Sequence, residues 1–127
     1  MSCSDVCVEM DYDGSSEFSS RSTRRAAKPY RCDECRGEIA KGESHEYLVG
    51  KCEGDFFSAR TCSVCAELRN EFCCGAWVIG ELWESIREQL FPKWHDMKVI
   101  DCVLKLTEPA QAKLRAEYAQ YAKDQDL

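Results

Sequence analysis

Two Cys-x-x-Cys pairs constrain this chain more than any other feature. The first is Cys32-Asp33-Glu34-Cys35 and the second is Cys62-Ser63-Val64-Cys65, with 26 residues between them. Two such pairs form a metal-ligand pattern, because four thiolates close a tetrahedral shell around one Zn²⁺. A closed shell leaves no position for substrate, so the spacing predicts a structural site with Cys32, Cys35, Cys62 and Cys65 as ligands. A redox Cys-x-x-Cys comes singly, after a strand in a βαβ pattern, and this chain has no such pattern. Iron–sulfur spacings group three cysteines closely, which this sequence does not do.

The local sequence gives the pairs an order. Lys28-Pro29-Tyr30-Arg31 leads into the first pair in extended conformation, since the residue before proline avoids helical ψ. Cys32 to Gly37 reads as a zinc knuckle, with Gly37 expected to supply a positive φ that turns backbone N–H groups toward the sulfurs. Residues 44–60 read as a β-hairpin, Ser44 to Val49 and Asp55 to Arg60 flanking the Gly50–Gly54 turn. His45 shares a face with Tyr47 and Val49. Four cysteines already fill the shell, so His45 is read as a packing or surface residue. Cys52, in the turn, is read as a free thiol. The second pair opens a helix through Phe72, which aims Cys62 and Cys65 to one side. Knuckle, hairpin and helix are the parts of a treble-clef zinc finger. The expected fold class is therefore α+β, a small treble clef extended by C-terminal helices.

Beyond it, Gly75 is placed as a C-cap. A helix is expected from about Trp77 to Phe91, with Ile79, Leu82, Trp83, Ile86 and Leu90 on one face. Residues 97–106 alternate as a half-buried strand, with a short helix as the competing reading. Thr107 and Pro109 open a last helix carrying Gln111, Leu114, Tyr118 and Tyr121. Three regions follow: a flexible arm over 1–28, the zinc module with its packed helix over 29–92, and a strand/helix extension of the same domain over 93–127.

The chain has 127 residues, enough for one domain, and its 44% apolar content allows only a modest core. A metal staple suits a core of that size. No apolar run approaches a membrane span, and Met1 to Asp5 does not begin a secretory signal. A reducing cytoplasm is expected, where ten cysteines mean metal and free thiols before disulfides. Cys3 and Cys7 are then free thiols in the arm or, in the sharper reading, half of a second metal site completed by Cys73 and Cys74. Net charge is −6, which disfavours unspecific binding to a nucleic-acid backbone. Arg21, Arg24, Arg25, Lys28, Arg31 and Arg36 nevertheless crowd the approach to the first pair. With Tyr30 available to stack, they are the candidate nucleic-acid contacts. Catalysis has little to work with. The two histidines, His45 and His95, form no metal motif, there is no glycine-rich phosphate loop, and the helix after Cys62 lacks the histidine of a His-Asn-His nuclease.

The run from Arg24 to Ile39, then Gly42-Glu43, Tyr47, Gly50 to Phe56, the Thr61-Cys62 pair and the Cys74–Leu82 segment resemble small phage and prophage zinc proteins. The resemblance covers about residues 20–90. It implies a treble clef and phage origin, and no activity. An aromatic residue is common in that group where Cys52 stands, which implies that Cys52 is no ligand. The first functional expectation is a non-enzymatic module that binds a host or phage protein, with inhibition of host defence or nucleic-acid machinery as its narrower form. The alternative is a nucleic-acid-binding regulatory finger that uses the basic residues of 21–36.

Overall fold

The computed structural model describes residues 7–8, 16–52, 54–73 and 78–125, with the backbone alone at 16–18 and 52. The fold is α+β: two small antiparallel sheets precede four helices. The larger sheet has the order β1-β4-β5, from β1 (Ser16–Arg25), β4 (Ser44–Cys52) and β5 (Asp55–Cys62). A two-stranded sheet pairs β2 (Tyr30–Arg31) with β3 (Glu38–Ile39). The helices are α1 (Ser63–Phe72), α2 (Leu82–Gln89), α3 (Met97–Leu104) and α4 (Glu108–Asp124).

The hairpin expected over 44–60 is present as β4 and β5, with Tyr47 opposite Arg60 and Leu48 opposite Ala59. The flexible arm is corrected over residues 16–25, which form a strand. β1 runs antiparallel to β4 from Ser16↔Cys52 to Arg25↔Ser44, with one bulge between Ser16 and Phe18. The backbone ladder holds this polar strand in place, because an edge strand need not bury either face.

Cross-strand partners share a face and neighbours alternate. Leu48 and Ala59 are therefore on one side with Glu46, and all three face the helices. Leu48 and Ala59 are buried there. α1 packs across this side through Leu68, Arg69 and Phe72. Arg69 is 2% exposed and holds Glu46 in a bidentate pair at 2.8 and 2.7 Å. A fork of this geometry fixes the angle of α1 on the sheet as well as neutralising the guanidinium.

The strand expected over 97–106 is instead a helix over Met97–Leu104. Val99, Cys102, Val103 and Leu106 are all buried and fall at i, i+3, i+4 and i+7. The Asp96 carboxylate caps the helix by accepting from the Lys98 N–H at 2.8 Å. Helix α2 is shorter than expected and begins at Leu82. α4 follows the expected face, burying Leu114 and stacking Tyr118 on Trp94 at 4.5 Å between ring centroids. Thr107 is the N-cap residue, but its side chain does not cap. Its hydroxyl and N–H both donate to Glu67 of α1, at 2.6 and 2.8 Å, fastening the C-terminal helices to α1.

The Arg69–Glu46 pair predicts an asymmetric cost. Glu46→Ala strands a buried guanidinium and should destabilise the protein by about 3–5 kcal/mol, whereas Arg69→Met, which removes the charge and keeps the stem, should cost clearly less. Urea unfolding of the two variants beside the parent checks the order.

Candidate metal centre

The four predicted ligands come together. Cys32 and Cys35 lie on the turn between β2 and β3, Cys62 ends β5, and Cys65 sits in the first turn of α1. Their sulfurs all lie within 4.8 Å of one another. Cys35 Sγ and Cys62 Sγ are 3.9 Å apart. A tetrahedron with metal–sulfur bonds of about 2.3 Å has edges of about 3.8 Å, so the spacing fits one four-coordinate ion. The cluster can thus hold a metal ion. Cys32 and Cys65 are fully buried, and Cys35 and Cys62 are half-buried.

Donors already surround the sulfurs. Cys32 Sγ accepts from the N–H groups of Glu34 and Cys62, each at 3.4 Å. Cys35 Sγ accepts from Gly37 N–H at 3.4 Å. The Trp83 indole N–H donates to Cys65 Sγ at 3.3 Å. Such contacts spread the charge of a thiolate and orient it. Hydrogen bonds from Cys62 and Cys65 hold Cys32 far below the ordinary thiol range. The hydrogen bond with Cys32 pushes Cys62 up to about 12, and the contacts with Cys32 and Cys62 push Cys65 higher still. Loading a cation must therefore displace protons, as it does wherever thiols are the ligands.

The knuckle differs from expectation in one detail. The positive φ falls on Arg36, at 65°, and not on Gly37. Gly37 allows a close approach instead, since a Cβ there would meet Cys35 Sγ at a tight 3.3 Å.

The two residues inside the first Cys pair tie the knuckle to the rest of the fold. Asp33 Oδ2 accepts from the Arg60 N–H at 2.7 Å, and the Asp33 N–H donates to the Arg60 carbonyl at 2.8 Å. Glu34 is buried, and its Oε1 accepts from the N–H groups of Gly80 and Leu82 at 3.0 and 3.2 Å. Burial raises the Glu34 pKa against these donors. Gly80, at φ 88°, presents its N–H to that carboxylate as the chain turns into α2. Sequence reasoning missed both roles. A polar Asp-Glu between two ligands carries no signal of its own beyond being the unexplained pair.

The other candidates separate. His45 is buried outside the cluster, and its Nε2 accepts from the Arg60 guanidinium at 2.7 Å. It is a packing residue. Of the cysteines considered for a second site, Cys3 and Cys74 lie outside the described residues. Cys7, expected as a free thiol or a ligand, is disulfide-bonded, as is Cys102. The adjacent Val8 is buried, and its N–H donates to the Phe72 carbonyl at 2.8 Å, which holds this stretch against the end of α1. Cys73 is a half-buried thiol whose burial pushes its pKa up. The side chain of Cys52 and the Gly75 cap also lie outside what is described. The six basic residues do not act as one cluster. Arg24 shares a sheet face with Tyr47, Arg21 and Arg25 project from the opposite face, and Arg31 donates to the Arg36 carbonyl at 3.0 Å.

Removing the indole donor tests how far the surrounding bonds tune the site. Trp83→Phe keeps an aromatic ring in the core and should weaken metal retention about tenfold, read by competition with a chelator, while the far-UV spectrum of the loaded protein is unchanged.

No helix among the described residues is long and apolar enough to cross a membrane. The chain matches no protein-family model, no curated protein and no solved structure.

Proposed function

We propose that this chain is a zinc-stabilised, non-enzymatic protein-interaction module of the treble-clef type. The order knuckle, hairpin and Cys-bearing helix supports the treble clef. Four buried or half-buried thiolates, with N–H donors around them, suit Zn²⁺ in a closed structural site. In that reading the metal does no chemistry and holds the scaffold together.

One observation carries the interaction role. Met97, Ile100 and Leu104 lie on the outer side of α3 and are 73%, 40% and 59% exposed. At i, i+3 and i+7 they form one apolar stripe, opposite the face that α3 buries. Lys98, Asp101 and Lys105 are exposed beside it. An apolar strip with a rim of mixed charge is the composition of a protein interface. The occupant is a folded protein that offers an apolar groove. The resemblance to phage proteins supports a host complex as that partner, such as one acting in defence or on nucleic acid.

The metal assignment predicts one Zn²⁺ per chain by native mass spectrometry. Cys65→Ser should lose the ion, and chelation of the parent should unfold the knuckle, α1 and the start of α2 together. A second bound ion would revive the cysteines set aside above.

The docking stripe is tested by Met97→Asp/Leu104→Asp, with retained zinc and circular dichroism as the check on folding. A partner captured in stoichiometric amount by the parent and lost by this variant is the expected result. Equal capture by both overturns the role of α3, and a parent dimer abolished by the variant in sedimentation assigns the stripe to a second copy instead.

A further inference from the structure

Among the described residues, the helices cover only one side of the β1-β4-β5 sheet. Glu46, Leu48 and Ala59 face α1, so Tyr47, Val49 and Lys51 of β4 face the other way. The pairing places Ser20, Ser22 and Arg24 of β1 and Phe56, Ser58 and Arg60 of β5 on that same outer face. Apart from His45 at one end, these residues are exposed or half-buried.

This face is chemically segregated. The chain carries 23 acidic and 17 basic residues. None of the described side chains at the outward strand positions is a carboxylate, whereas Arg24, Lys51 and Arg60 are all cations. Cations and rings also alternate across it. The Arg24 guanidinium lies 4.6 Å from the Tyr47 ring centroid, and Arg60 lies 4.3 Å from Tyr47 and 3.7 Å from Tyr30. Lys28 continues the row at 5.6 Å from Tyr30. Beside Tyr30 is an open recess of about 440 Å³, lined by Pro29, Arg31 and Glu38 as well as the ring. At the other end Lys51 sits 5.5 Å from Phe56, whose side chain is 76% exposed.

We propose that this outer face binds single-stranded nucleic acid. Arg24 donates one N–H to Ser22 and Arg60 one to His45, which leaves the other N–H groups of each stacked guanidinium for phosphate, and a row of such cations follows a backbone. Phe56 offers a ring to an unpaired base, and base–aromatic stacking tolerates any sequence. A duplex hides its base faces and has no use for that ring. Cation–π contacts that served only to hold the strands together would not need Phe56 exposed, nor outward strand positions without a carboxylate. The site lies across the sheet from the helices and does not depend on the protein-docking role of α3.

Fluorescence anisotropy with labelled oligothymidylate and oligouridylate, on the zinc-loaded full chain, tests the proposal. Binding should be strongest at about 20 mM salt and weaken with a log–log slope of about −2 to −3, as expected if three or four phosphates are neutralised. Arg24→Glu/Lys51→Glu should weaken it at least about tenfold, while Lys123→Glu, on the far end of α4, changes little. Phe56→Ala should weaken it at least about fivefold. Zinc content and circular dichroism establish that each variant is folded. No binding at low salt, or equal binding of a duplex, overturns the proposal. So does equal binding of polyglutamate with Phe56→Ala neutral, which makes the face a docking site for acidic protein.

Discussion

Four sulfurs drawn within 4.8 Å set the geometry on which the rest of this fold depends. They come from a turn, a strand end and a helix start, so a single ion bound there would fix three kinds of backbone at once. The residues between the first two sulfurs extend that grip. Asp33 is locked to Arg60 of β5, and Glu34 holds the N–H groups at Gly80 and Leu82. Trp83, one residue on, returns an indole N–H to Cys65. The metal site and the start of α2 are therefore one unit. A charged carboxylate buried beside thiolates is unfavourable alone, and the two backbone donors offset that cost only while α2 stays in place.

A second tie holds the sheet to the helices. Arg69 heads the fully buried side chains by size among the described residues, ahead of Phe72. A guanidinium in that position needs its carboxylate, and Glu46 supplies it from the middle strand. Replacing such a pair with apolar residues is often neutral in stability. Its value here is orientational: only one rotation and height of α1 satisfies a bidentate fork. Glu67 then anchors Thr107 from the other side of α1, so the C-terminal helices take their position from the same element.

What the sequence made legible follows from this arrangement. Ligand spacing is a local code, and so are hairpin and helix-start signals, so residues 30–72 could be read almost as they stand. Residues 97–106 could not, because they satisfy both periods. Ile100, Cys102, Leu104 and Leu106 form an apolar row as a strand, and Val99, Cys102, Val103 and Leu106 do so as a helix. Asp96 decides between them by capping the helix, and only the folded chain shows that cap being made. β1 was hidden for the opposite reason. Ser19 to Arg25 has no apolar alternation, and its place in the sheet comes from backbone pairing with β4. The left-handed residue in the knuckle was assigned to Gly37 by propensity. Arg36 takes it instead, and Gly37 serves a different purpose, the near approach to Cys35 Sγ.

The strand assignment of β1 changes how the charge of the chain should be read. As a loose arm, residues 21–36 were a basic run attached to an acidic body, and the net charge of −6 argued against phosphate. Pairing with β4 divides that run. Arg21 and Arg25 turn to the helix side of the sheet, while Arg24 joins Arg60 and Lys51, residues distant in sequence, on the outer side. Salt screens charge beyond about 10 Å at ordinary ionic strength. An approaching ligand therefore responds to the local face more than to the molecular sum. Of the 23 acidic residues, eight stand on the helices, Glu84 and Glu88 on α2 and Glu108 and Glu117 on α4 among them. A two-sided molecule follows from the physics: one side of the sheet is covered by helices that end in the α3 stripe, and the other is a cationic, ring-bearing surface whose strands are tied to the metal centre through Arg60 and Asp33.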